Sequence, residues 1–221
     1  MSSKSLLYYN QIKRIVDLTV CVTALIFLSP LFFLLSLVIY LYDRQDPIFR
    51  QVRLGQHGKP FIMFKFRSMT VGSEKIGSGY YCYKNDPRIT PIGLFLRKYS
   101  LDELPQLFNV IRGEMSLIGP RPPVHDELDN EMLDDLHLSY LDKRFTFLPG
   151  LTGLAQVSGR NELDWREKLE FDNTYFYEFQ RSPFLTDLKV IMATFTIIFS
   201  SRGEFDGTSY QSRGKQKAFR R

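Results

Sequence analysis

The sequence predicts an α+β fold: one helix-rich domain carrying a small β-hairpin or sheet, preceded by a long, kinked apolar helix. Three observations lead there. Residues 18–42 form a run of 25 without a formal charge, with Ser29-Pro30 at its middle. Two short segments, residues 48–52 and 60–69, flank Gly55-Gln56-His57-Gly58 and read as strands around a turn. Beyond residue 90 most segments read as helices. The 221 residues suit one domain with a sizeable core.

The apolar run exceeds the roughly 20 residues needed to cross a bilayer core as a helix. A cleavable signal peptide fits poorly, because the run is long and Asp43-Arg44-Gln45-Asp46 follows it instead of a small-residue cleavage site. Pro30 removes a backbone donor and crowds the carbonyl four residues back, so a kink is expected there, with the Ser29 hydroxyl available to the freed carbonyl. Each arm of about a dozen residues is too short to span alone. Lys4, Lys13 and Arg14 precede the run and Arg44, Arg50 and Arg53 follow it, so both ends favour the cytoplasmic side. Two membrane topologies remain: a helix that dips in and returns, and a spanning helix that tolerates its proline. A buried soluble helix is the third option.

Asp46-Pro47 closes this segment. Residues 70–90 are polar, carry Gly72, Gly77 and Gly79, and read as a loop without the spacing of a P-loop or a dinucleotide fingerprint. Helices are expected over 92–99 and 105–112, the second with Pro105 in its first turn and Gly113 as its stop. An acidic, solvent-facing helix is expected over 127–144, an irregular glycine-rich stretch over 149–159, and a helix over 163–179. Residues 184–200 are strongly apolar and read as a core helix, with the membrane interface as the alternative. The divisions are an N-terminal segment (1–14), the membrane helix (15–43), the main domain (44–201) and a basic, disordered tail (202–221) near anionic lipid.

Net charge is +5 and the isoelectric point about 9.1. Nucleic acid, an anionic membrane surface or a phosphorylated substrate would each suit that balance. A nucleic-acid face needs a continuous basic surface, whereas the charges here are interspersed with acids, notably between Asp126 and Asp135. Cys21 and Cys82 stand 61 residues apart, which excludes a disulfide framework and speaks against a zinc site.

The chemistry is expected at Ser100-Leu101-Asp102-Glu103-Leu104-Pro105-Gln106-Leu107. Ser100 and Glu103 match a capping box, which is a purely structural use. Against it, a helix starting at Leu101 would put Pro105 where its missing N–H costs a bond. A start at Pro105 instead leaves Asp102 and Glu103 at the helix mouth, where two carboxylates can hold a divalent cation. Lys65, Arg67, Arg97, Arg121 and Arg160 are candidate substrate-binding residues. Singly each suits a solvated surface; together with the carboxylates they suggest a diphosphate site.

These residues resemble the bacterial sugar transferase family of monotopic phosphoglycosyl transferases. The resemblance runs from about residue 10 to about residue 200. It rests on Ser29-Pro30, Phe64 to Met69, Asp86 to Thr90, the Asp102-Glu103 segment, Gly119-Pro120-Arg121-Pro122, and Pro149 to Gly153 with Gln156 to Arg160. It implies a re-entrant helix bent at Ser29-Pro30, with both flanks and the domain on the cytoplasmic face of the bacterial inner membrane. It implies magnesium at the aspartate, Asp102 and Glu103 as the catalytic pair, and a two-step displacement. In that scheme Asp102 takes a sugar-1-phosphate from a UDP-sugar, UMP leaves, and undecaprenyl phosphate accepts the group. The lack of a domain before the apolar helix resembles the minimal form, and self-association is left open. A noncatalytic membrane-anchored scaffold is the alternative, but it would be expected to lose the carboxylate pair. A multi-span transferase needs more apolar helices than one run supplies.

Overall fold

A computed structural model describes residues 3–73, 86–124, 135–159 and 163–199. The α+β class holds. The helices are α1 (Ser3–Asp43), α2 (Pro91–Lys98), α3 (Gln106–Arg112), α4 (Asp135–Arg144), α5 (Leu154–Ser158), α6 (Trp165–Arg181) and α7 (Pro183–Phe199). The strands are β1 (Ile48–Leu54), β2 (Pro60–Phe66), β3 (Ser116–Ile118) and β4 (Gly150–Thr152). The tail at 202–221 lies outside the described residues, as do 74–85 of the expected loop and 127–134 of the expected acidic helix.

Helix α1 is the spine. It starts at Ser3, so residues 3–14 form its first turns instead of a separate segment. Its 41 residues run about 60 Å at 1.5 Å each. Pro30 sits inside, and the Ser29 hydroxyl donates to the Ile26 carbonyl at 2.8 Å, the oxygen that the missing Pro30 N–H leaves without its helical partner. Asp17, Cys21, Leu35 and Ile39 are buried, with Ala24, Leu25, Leu31 and Phe32 partly so. Their three- and four-residue spacing draws one stripe along the helix, in phase on both sides of Pro30. The opposite face is also apolar, with Phe27 78% and Phe33 72% exposed. Among the described residues this is the one helix long and apolar enough to cross a membrane.

Three apolar clusters hang on that stripe. Tyr9 packs with Ile118, Tyr175, Phe179 and Val190. Cys21 joins Met63, Leu107, Val110 and Met115. Leu35 and Ile39 join Phe66 and Leu96. Polar contacts reinforce both ends of the helix. Lys13 and Tyr9 reach the Asp187 carboxylate at 2.5 and 2.9 Å, and Arg67 meets Asp43 at 3.1 Å. Arg14 donates to the carbonyls of Val110 and Ile111 at the C-terminal end of α3, where Gly113 turns the chain with φ +82°.

The hairpin β1–β2 is antiparallel, pairing Ile48 with Phe66 and Leu54 with Pro60 around a turn in which His57 and Gly58 both take positive φ. β2 stops at Phe66, short of the expected Met69. The partner chain there is Pro47, which accepts from the Arg67 amide but has no N–H to return. Residues 68–70 pair instead with 88–90, where Arg88 and Asp86 form a buried ion pair at 2.6 Å.

The glycine-rich stretch expected to be irregular contains β4 and α5. β4 runs parallel to β3, and a Cβ on Gly150 would stand 2.1 Å from the Gly119 nitrogen. Those glycines serve backbone contact, not looseness. α6 begins at Asp164, whose carboxylate and Glu167 form a reciprocal capping box, and it packs on α4. α4 is not simply solvent-facing: its last residue, Arg144, is buried. α7 divides the two readings offered for it. Thr186, Asp187 and Val190 are buried, while Phe184, Leu185 and Met192 are more than half exposed.

Candidate active site

The carboxylate pair lies on a single 3-10 turn, Leu101–Glu103, between α2 and α3. Two features fix it. Ser100 enters the turn in the left-handed region (φ +54°), a conformation costing a non-glycine residue about 1–3 kcal/mol. Leu101 and Leu104, on either side of the carboxylates, pack against the cluster built from Leu35 and Ile39 of α1 with Phe66 and Leu96. The apolar residues of the motif thus seat the turn on the long helix.

The capping-box use does not occur. The Ser100 side chain makes no cap bond, and α3 starts at Gln106, after Pro105. The Glu103 Oε1 instead accepts from Lys65 Nζ at 3.1 Å and from Arg121 at 3.0 Å. Lys65 arrives on β2, whose neighbouring Phe64 amide is held by the Asn109 side chain. Asn109 also donates to the Ile62 carbonyl and to Glu114. A fully buried asparagine therefore clamps β2 to α3. Arg121 arrives on the segment after β3, whose Pro122 carbonyl is gripped by Arg53 at 3.0 Å.

Lys65, Arg97 and Arg121 all act electrostatically on Asp102. Arg97 is oriented by its Nε bond to the Ser68 hydroxyl at 2.8 Å. Arg67 does not join them: its ion pair with Asp43 ties the end of β2 to the end of α1, which is a structural task. Arg160 lies outside the described residues. Sequence reasoning missed Asn109 and Arg53 as supports. Gln51 and Arg53 alternate on one strand face, and that spacing was the available signal for their contact.

Asp102 is 8% exposed. Burial raises its carboxyl above the ordinary range, Lys65 pulls it back, and Glu103 raises it further. For Glu103 burial also pushes upward, but Lys65 and Arg121 outweigh it and hold the carboxyl well below its usual range. Burial lowers the Lys65 ammonium, against the pull of Glu103. The two adjacent acids are thus driven apart: Glu103 is a fixed anion, and Asp102 is a desolvated, basic carboxylate. A desolvated carboxylate facing cations is equipped to attack or to take a proton.

No group of three or more acidic, histidine or cysteine side chains suited to a metal occurs among the described residues. A dication that keeps several waters and binds phosphate oxygens needs only one or two carboxylates, and Asp102 meets that requirement. Glu103 already serves two cations through Oε1 and has Oε2 left to contribute.

Residues 8–201 match the family described as bacterial sugar transferase. An exopolysaccharide production protein ExoY of Sinorhizobium fredii is 39% identical over 207 residues, covering 87% of this chain and 88% of that protein. An undecaprenyl-phosphate galactose phosphotransferase of Salmonella typhimurium is 38% identical over 88% of this chain and 42% of its own length. A UDP-glucose:undecaprenyl-phosphate glucose-1-phosphate transferase of Klebsiella pneumoniae is 43% identical over 82% of this chain and 39% of its own length.

Proposed function

The chain belongs to the bacterial sugar transferase family, and from that premise we propose that it transfers a sugar-1-phosphate from a UDP-sugar to undecaprenyl phosphate at the cytoplasmic face of the inner membrane. Two relatives named for undecaprenyl-phosphate sugar transfer support the substrate class, and the ExoY relatives support a role in starting an exopolysaccharide. The observation that carries the mechanism is the divergence of the two carboxylates, one pinned by Lys65 and Arg121, the other buried and basic.

In the first step an Asp102 carboxylate oxygen attacks the β-phosphorus of the donor. The bond from that phosphorus to the bridging oxygen breaks, and UMP leaves with the electron pair. In the second step an oxygen of undecaprenyl phosphate attacks the same phosphorus and frees the Asp102 carboxylate, giving the polyprenyl diphosphate sugar. Arg121 and Arg97 offer forked donors to the phosphate oxygens, while Lys65 contributes a point charge. Glu103 holds Lys65 and Arg121 in place. Asp102, with the remaining Glu103 Oε2, would hold magnesium, which would supply charge neutralisation at the diphosphate.

One substrate is dissolved in lipid, so the reacting carboxylate has to stand near the headgroups. The packing of α1 supports a re-entrant anchor. Its first half contacts α3, β3 and α7, and its second half contacts β2 and α2. A helix crossing the bilayer with its domain on one side would leave half of that stripe in lipid. Labels near residue 3 and in the hairpin turn near residue 57 are expected to share protection from periplasmic reagents; opposite accessibility refutes the topology. For the chemistry, UMP release is measured over a panel of UDP-sugars with undecaprenyl phosphate. Asp102→Asn is expected to abolish turnover and the trapped phospho-sugar adduct, and substantial residual activity overturns the covalent route.

A further inference from the structure

Arg144, at the end of α4, is 3% exposed. Its guanidinium lies 3.1 Å from the Asp172 carboxylate on α6, itself 2% exposed, and 5.0 Å from the centre of the Trp165 ring. The same guanidinium donates to the backbone carbonyl of Arg121. The next two carbonyls are taken as well, Pro122 by Arg53 and Pro123 by the Leu54 amide, each at 3.0 Å. Behind them the Gly119 amide donates to Thr152 at 2.9 Å. The segment that carries Arg121 is thus held at three consecutive carbonyls.

A buried ion pair is an uneconomical way to fill a core, because apolar side chains of similar volume serve stability as well or better. What an apolar pair cannot do is hold a carbonyl. We propose that Arg144, with Asp172 as its counter-ion, is a positioning residue: it fixes the Arg121 backbone so that the half-exposed Arg121 guanidinium stays on Glu103 and faces the donor diphosphate. This rests on the reading that Arg121 meets that diphosphate. Without the hook, a long side chain on a looser backbone spreads over many rotamers, and the ordering cost falls on substrate binding.

The experiment uses the full chain in detergent, with UDP as the probe and calorimetry as the readout. Arg144→Ala would strand Asp172 in the core, so the informative variant is Arg144→Met with Asp172→Leu, which keeps the interior filled. This pair is expected to melt close to the parent and to bind UDP about tenfold more weakly, like Arg121→Ala, the loss matching one charged hydrogen bond. Adding Arg121→Ala to the pair is expected to cost nothing further, since both act through one contact. That lack of additivity is what a purely structural role would not give, because an unrelated loss of packing would add to the effect of Arg121→Ala. If the pair fails to fold, Arg144→Lys is read instead: one ammonium cannot serve both the Asp172 carboxylate and the Arg121 carbonyl, so a smaller loss of UDP affinity is expected. Parent-like UDP affinity in either variant, with Arg121→Ala weakened, overturns this inference alone. Parent-like affinity in Arg121→Ala overturns the diphosphate reading, and this inference with it.

Discussion

Arg14 invites two readings, a positive-inside signal and a helix cap, and Arg14→Lys separates them. The lysine keeps the flanking charge, so membrane orientation is expected to stay unchanged. The guanidinium, however, reaches two carbonyls at once, Val110 at 2.5 Å and Ile111 at 3.0 Å, and an ammonium on a different stem keeps at most one of them in good geometry. One hydrogen bond from a charged donor contributes about 1.5–3 kcal/mol. The group is part-buried, so the lower end, about 2 kcal/mol, applies. At about 2–4 °C per kcal/mol for a chain of this size, the melting temperature is expected to fall by about 4–8 °C. The assay is thermal unfolding of the purified protein in one detergent at fixed concentration, with Arg14→Met as the full-loss reference, expected to fall further. A lysine variant melting within about 1 °C of the parent would show that the α3 end does not depend on the fork, and the cap assignment would be withdrawn.

Four further outcomes are expected. Lys65→Met removes a cation that lowers the Asp102 carboxyl, so the acid limb of kcat/KM should shift to higher pH, because protonated Asp102 cannot attack; an unmoved limb rejects the electrostatic assignment. Ser29→Ala leaves the Ile26 carbonyl without its hydroxyl partner and should cost about 1 kcal/mol, read as a small fall in melting temperature, with no change in UMP release measured at 25 °C. Chelation of divalent cations should stop UMP release and magnesium should restore it, whereas undiminished turnover in chelator excludes the metal. Arg67→Met, which breaks the tie to Asp43, should lower melting more than it changes KM for the donor, and the reverse pattern would return Arg67 to the substrate site.

Much of this was legible in the sequence because single residues dictate local geometry. Pro105 and Gly113 act through a missing donor and a left-handed conformation, and each stands where the chain shows the corresponding feature; at Pro30 the missing donor shows as the Ser29 hydroxyl on the Ile26 carbonyl, while α1 runs as one helix from Ser3 to Asp43. The carboxylate pair was legible for the same reason: Pro105 excludes the helix that would have made it a cap. What was not legible was partnership. Lys65 and Arg67 alternate with Phe64 and Phe66 along one stretch of chain and carry the same charge, Lys65 within β2 and Arg67 just past its end. Only the end of α1 arriving beside Arg67 makes one an ion pair to Asp43 and the other a ligand of Glu103. The β3–β4 pair escaped because glycines at a close backbone approach look the same in sequence as glycines in a loose loop, and parallel pairing joins segments more than thirty residues apart.

Helix α1 shows why amphipathicity fails as a guide here. Its domain face and its outer face are both apolar, so no periodic contrast marks which side is which. The marks are sparse polar residues on the domain side: Lys13 on Asp187, Arg14 on α3, Asp17 accepting from Ser116 at 2.7 Å, and Asp43 on Arg67. Each is an expensive group in hydrocarbon and is satisfied only by the domain. A helix spanning the bilayer through residues 18–42 would put Lys13, Arg14 and Asp17 at one surface and Asp43 at the other, so a domain on one side could satisfy only one end of the set. Distributed as they are, they hold the helix against the domain from its first turns to its last, and the turn bearing Asp102 is seated through Leu101 and Leu104 on that same helix. On the proposed mechanism, the depth at which that helix rests in the membrane would set the depth of the Asp102 carboxylate, through packing alone.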